Sequence, residues 1–165
     1  MKIREETGAD APEIAALTRA AFGGDYEASL IENLRAARLV IVSLIAVQED
    51  AVFGHILFSE LAVEVDQRRV KAAALAPMAV RSDHWRRGIG SQLVQAGLTV
   101  LRDRGYETVI VLGNPDYYPR FGFSASLTAS LVAPFSGKAF MGLELIPGSL
   151  SGSRGSVKYP KAFGA

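Results

Sequence analysis

The chain has 165 residues, 49% apolar and 21% charged, with a formal net charge of +1. Size and balance predict one domain over 1–165 with its own core and exclude a disordered chain. With no cysteine and a net charge of only +1, disulfides, thiolate metal sites, a cysteine nucleophile and a broad basic nucleic-acid surface drop out, and a reducing cytoplasm suits the chain.

Lys2 to Glu6 reads as a short strand, and the charged start lacks a signal-type apolar stretch. Asp10, Pro12 and Glu13 form a helix-start pattern, followed by Ile14, Leu17 and Ala21 at helical spacing. Gly23-Gly24 ends that helix. Asp25 opens a second, with Leu30, Ile31 and Leu34 on its apolar face. Leu39 to Val47 and Val52 to Val65 read as antiparallel strands about a Glu49-Asp50 turn, and Val70 to Val80 as a third strand after a turn at Gln67 to Arg69. None of these apolar runs is long enough to span a bilayer.

Ser91 to Arg104 predicts a helix, with Leu93, Val94, Gly97, Leu98 and Leu101 on one face and Gly105 as its stop. Thr108 to Leu112 then reads as a buried strand, parallel to the strand before the helix. Further strands are expected from Phe123 and over Ala139 to Ile146. Gly148 to Ser156 reads as a loop, after which Val157, Tyr159 and Phe163 dock the tail on the core. The fold class is therefore α/β, a mixed sheet flanked by helices.

The sharpest chemical signal is Arg86-Arg87-Gly88-Ile89-Gly90-Ser91, between a strand and an amphipathic helix. Glycine lets the backbone approach a phosphate, helix-start amides favour an anion, and the arginines add charge-assisted donors. No Gly-Lys-Ser/Thr closes the turn, so it is not a Walker A loop. Leu93 stands where a dinucleotide fingerprint needs its third glycine. On its own the segment is equally a tight turn that starts a helix.

The stretch from Val80 to Leu93 resembles the acetyl-CoA turn of the GNAT superfamily of N-acetyltransferases. That pattern is Gln/Arg-x-x-Gly-x-Gly/Ala after a strand ending in a Leu-x-Val-like triplet, here Met78-Ala79-Val80. Trp85 departs from it, standing at the Gln/Arg position. The resemblance implies a sheet splayed at the cofactor site, helped here by Pro77, with the pantetheine arm pairing with Met78 and Val80. It also implies that the diphosphate lies on the amides of Arg87 to Ser91.

The segment from Asn114 to Phe123 resembles the family's Phe-Tyr-x-x-x-Gly-Phe element, with Tyr118 at the tyrosine and Gly122-Phe123 at the terminal pair. The resemblance implies Tyr118 as the general acid that protonates the departing thiolate, with Asn114 and Tyr117 beside the cofactor. A phenol stays protonated at neutral pH and so has a proton to give. For the base, many members use a strand glutamate, but Ala72-Ala73-Ala74-Leu75 holds no carboxylate. Glu60 and His55 on the neighbouring strand, five residues apart and so on opposite faces, are the substitutes on offer, and a chain of waters is the other reading. His84 reads as a rim residue of the turn.

The order of elements follows the superfamily over nearly the full length, and the ending Ala139 to Leu145 with Val157 to Pro160 is similar to a branch of small bacterial members. The resemblance implies acetyl-CoA as acetyl donor, CoA as product and a small-molecule or peptide amine as acceptor, with a homodimer as one assembly such families adopt. A non-catalytic acyl-CoA-binding or regulatory module of the same fold is the alternative, since fold alone does not fix function.

Overall fold

Among the described residues, branched aliphatic runs and two tight hairpin turns build a mixed sheet, accompanied by three α-helices. The elements are β1 (Lys2–Glu5), α1 (Ala11–Phe22), α2 (Tyr26–Ala36), β2 (Val40–Gln48), β3 (Ala51–Val65), β4 (Arg68–Val80), α3 (Ile89–Asp103), β5 (Thr108–Leu112), β6 (Leu131–Val132), β7 (Phe140–Glu144) and β8 (Gly155–Lys158). This computed structural model describes residues 1–164. The sheet has eight strands in the order β1-β2-β3-β4-β5-β7, with β8 on β3 and β6 on β8. Two compact units divide the chain, the first made of Met1–Ser59 with Ala76–Val100, the second of Glu60–Leu75 with the described residues from Leu101 onward.

In the first unit β1 pairs antiparallel with β2, Lys2 opposite Val47 and Glu5 opposite Leu44. β2 in turn pairs antiparallel with β3 from Val40↔Ser59 to Gln48↔Ala51. Glu49 and Asp50 make the hairpin with φ of 50° and 63°, a turn with left-handed backbone at both central residues that suits strand twist. Ile14 and Leu17 on α1 and Leu30, Ile31 and Leu34 on α2 are buried, whereas Ala21 is exposed because the helix turns it to solvent near its end. Gly23 closes α1 at φ 73°. The helix-start carboxylates also differ from expectation. Asp10 accepts from the Thr7 amide at 2.7 Å and pairs with Arg4 at 2.8 Å, and Asp25 takes the Arg19 Nε at 2.9 Å. Neither side chain caps its own helix. Glu13 instead accepts from the Val52 amide at 3.2 Å, tying α1 to β3.

The face of β3 that carries Gly54 and Phe58 meets α3. A Cβ at Gly54 would stand 3.0 Å from both Ile89 and Leu93. At Gly97 a Cβ would run into the Phe58 ring, 2.7 Å from Cζ. A glycine costs a helix interior about 1 kcal/mol relative to alanine, and here it makes room for a phenyl ring.

In the second unit, β4 runs parallel to β5 from Ala72↔Thr108 to Leu75↔Val111, as expected for strands joined through a helix, and β5 pairs antiparallel with β7. Leu61, Val63, Val65, Val70, Ile110 and Phe140 form its core, with Tyr159 and Phe163 packed against it. Three expectations are corrected. The turn after β3 is Asp66-Gln67, with φ of 48° and 66°, so β4 starts two residues before Val70. The tail is not loop up to Ser156: Gly155 and Ser156 open β8, which pairs antiparallel with Ala62–Val65 of β3 and parallel with β6. Phe123 starts no strand; Ser124 forms only an isolated bridge to Gly142, because a 3-10 turn follows at once.

Candidate active site

The parallel pairing of β4 with β5 runs to Leu75, and β4 itself continues through Pro77 to Val80. In this last stretch Ala79 is buried and Met78 and Val80 are half-buried. The Arg81 amide donates to the Phe53 carbonyl on β3 at 2.8 Å, and the Trp85 indole Nε1–H donates to the Val80 carbonyl at 2.8 Å. Arg81 grips Asp83 through two bonds of 3.1 and 2.6 Å, and His84 Nδ1 lies 2.9 Å from the same carboxylate. Hydrogen bonds from Arg81, then His84, hold the Asp83 carboxyl down at about 2.

Arg86 and Gly88 then turn the chain at φ 65° and 78°. The Gln92 amide bonds to the Gly88 carbonyl at 3.0 Å, so Gly88 stands at the N-cap of α3. The amides of Ile89 and Gly90 follow in the first turn, where a helix offers them no carbonyl of its own. A Cβ at Gly88 would meet nothing within 4 Å; the backbone is open on that side, and the side chains of Arg86 and Arg87 are exposed beside it. Met78, Ala79, Val80 and Arg86 to Ser91 thus share the first unit.

Asn114, Tyr117 and Tyr118 belong to the second unit. Asn114 organises this segment: its Oδ1 accepts from the Asp116 amide at 2.8 Å and its backbone carbonyl from the Tyr117 and Tyr118 amides at 3.1 and 3.2 Å. Tyr118 opens a 3-10 turn that Gly122 ends at φ 101°. The Tyr118 ring is 8% exposed and packs edge-on against Tyr117 at 5.1 Å and Phe123 at 5.7 Å between centroids. It occupies the space a side chain at Gly113 would need, 2.9 Å from Cδ2. Burial, and after it the neighbouring Tyr117, push the Tyr118 phenol up to about 12.

Glu60, in the second unit, accepts a hydrogen bond from the Tyr106 hydroxyl. Burial and that bond drive the Tyr106 phenol far above its usual range, and Lys71 Nζ lies 4.7 Å over its ring. Tyr106 carried no sequence signal beyond following Gly105. His55 lies in the first unit, fully buried, with Nε2 2.8 Å from Ser43 Oγ and Nδ1 without a partner. Burial, then the positive charge of Arg35, lower it to about 3. The His84 ring lies tilted against Phe53, with centroids 4.2 Å apart. Among the described residues no His, Asp and Glu cluster is arranged to hold a metal, and no helix is long and apolar enough to cross a membrane.

A strand that ends in a glycine turn with helix-start amides, followed in sequence by a buried tyrosine on a short turn, is the arrangement that the resemblance to an acetyl-CoA-binding α/β fold implies. The family model for the acetyltransferase (GNAT) domain matches residues 2–126. The chain is 36% identical to YhbS of Escherichia coli K12, described as an uncharacterized N-acetyltransferase, over 99% of this chain and 98% of that one. The crystal structure of Escherichia coli YhbS with CoA has a TM-score of 0.89 at 35% identity, covering 99% of this chain and 92% of that one. A GNAT acetyltransferase from Brucella melitensis with acetyl-CoA has a TM-score of 0.81 at 33% identity, covering 98% and 97%. The chain belongs to the GNAT acetyltransferase family.

Proposed function

We propose that the chain is an acetyl-CoA-dependent N-acetyltransferase that acts on a primary amine by direct attack in a ternary complex. The observation that carries this reading is the start of α3, where Gly88 at φ 78° leaves open backbone beside the exposed Arg86 and Arg87. The relatives with bound CoA and acetyl-CoA support the same donor here. The residues fit it. Amides from Arg87 to Ser91 bind the diphosphate, Arg86 and Arg87 add positive charge, and backbone groups of Met78 to Val80 pair with the pantetheine arm. Asn114 and Tyr117 shape the turn that presents Tyr118.

The thioester supplies an activated acetyl group whose C–S bond breaks as the C–N bond to the amine forms. Tyr118 Oη gives its proton to the leaving sulfur. A phenol near 12 is a weak acid toward a thiol with a reference pKa of about 8.5. The burial that raises the phenol also raises a sulfur held beside it, so the gap between them is smaller than a phenol near 12 against an exposed thiol suggests. On the amine side a proton must leave, and the Tyr106 bond to Glu60 favours water over Glu60 as its first acceptor.

Incubation with acetyl-CoA and a panel of small and peptide amines, followed with a thiol reagent, tests this reading. The chain has no cysteine, so every thiol detected is CoA. We expect thiol release with at least one amine. CoA binding without release across the panel would leave the acyl-CoA-binding module instead. With the responding amine, Glu60→Gln should change kcat by less than about twofold; a loss on the order of a hundredfold would make Glu60 the base after all.

A further inference from the structure

Trp85 stands where the family pattern has Gln or Arg, and the acetyl transfer gives it no task. Its ring is 59% exposed, yet its indole N–H is committed to the Val80 carbonyl at 2.8 Å. Because the next residue, Arg81, bonds to Phe53 on β3, the polar groups of Val80 turn away from β3 and need another partner. The indole supplies it. The loop so closed, Val80 to Trp85, is fixed a second time. The His84 amide bonds to the Arg81 carbonyl at 2.9 Å, Arg81 and His84 both hold Asp83, and both side chains lie on the Phe53 ring, at 4.5 and 4.2 Å. Immediately beyond it the backbone takes its two positive φ values, one of them at the non-glycine Arg86. Left-handed backbone is costly for a side-chain-bearing residue, so that conformation needs a fixed flank.

We infer that Trp85 is a positioning residue for the phosphate turn: its bond to Val80, with the Arg81–Asp83–His84 clasp on Phe53, holds Arg86 to Gly90 ready for a diphosphate before the ligand arrives. The inference rests on the reading of this turn as the diphosphate site. Order supplied on folding is not charged to binding, so the effect falls on ligands that carry the diphosphate and leaves the acyl-transfer step alone.

Trp85→Phe keeps a ring and removes the N–H. Calorimetry with CoA and with pantetheine, which lacks the diphosphate, is paired with KM and kcat for acetyl-CoA and S-acetylpantetheine. We expect the CoA Kd and the acetyl-CoA KM to rise about fivefold, the factor one net hydrogen bond supplies. Pantetheine affinity and both kcat values should change by less than about twofold. Asp83→Ala opens the clasp without touching the indole and should give the same split, which keeps the test available if the tryptophan variant fails to fold. Equal weakening of CoA and pantetheine, or an unchanged CoA Kd, overturns the inference. A wild-type protein that binds CoA but transfers nothing would count against acetyl transfer, and the CoA-against-pantetheine comparison would still decide the role of Trp85.

Discussion

Tyr118→Phe should lower kcat about a hundredfold, the usual worth of one positioned general acid, while the Kd for CoA stays within about twofold. The substitution keeps the ring, and with it the edge contacts to Tyr117 and Phe123 and the fit over Gly113. Only the donated proton is lost, so the thermal midpoint should hardly move. With the phenol held near 12 by burial, wild-type kcat should show no alkaline loss from this group below about pH 11. Steady-state kinetics of both proteins against pH check this. Unchanged turnover in the phenylalanine variant would remove Tyr118 from the chemistry and leave it as packing.

The second large effect concerns stability. His55 titrates at about 3 in the folded chain against a reference of 6.5, so the unfolded chain binds a proton that the native one refuses. Its contribution is therefore complete above the unfolded pKa and is lost as pH falls toward the folded one. Between about pH 8 and pH 5 the wild type should lose about 2 kcal/mol through this group alone. Asp10 and Asp83 have carboxyls held below their usual 3.8, so they surrender stability only at lower pH and leave the window clear. Urea melts across the range, repeated on His55→Gln, read the effect. The glutamine can still reach Ser43 but binds no proton, so its slope should be flatter by up to one proton. Parallel slopes would mean that the imidazole is hydrated in the native state.

The sequence made the centre of the fold readable because its signals there are local. Leu93, Val94, Leu98 and Leu101 repeat at helical spacing, and all are buried in α3. Gly105 stops the helix at φ 81° as its lack of a Cβ predicts. What stayed hidden depends on partners far along the chain. β8 has the weak strand sequence Gly-Ser-Val-Lys and exists because Ala62–Val65 and β6 flank it. Its glycine is required, since a Cβ at Gly155 would stand 2.6 Å from the Glu64 carbonyl, which no local rule anticipates. Asp66-Gln67 forms a left-handed hairpin turn without the glycine or asparagine that usually marks one, so residue type alone points one residue further on, to Gln67 to Arg69. In the candidate site, the glycine turn at Gly88 follows from residue type and order, whereas Tyr118 enters only through the family resemblance. The Trp85 bond to Val80 and the Tyr106 bond to Glu60 were not, because each joins a side chain to a group fixed only by the tertiary fold.

The most direct test is a crystal structure of the protein grown with CoA. The diphosphate oxygens should lie within about 3.2 Å of backbone nitrogens between Arg87 and Ser91, with the sulfur end toward the Tyr118 hydroxyl. Density for CoA that leaves those nitrogens untouched, or that puts the diphosphate on another part of the chain, would contradict the assignment of the turn and every residue role built on it.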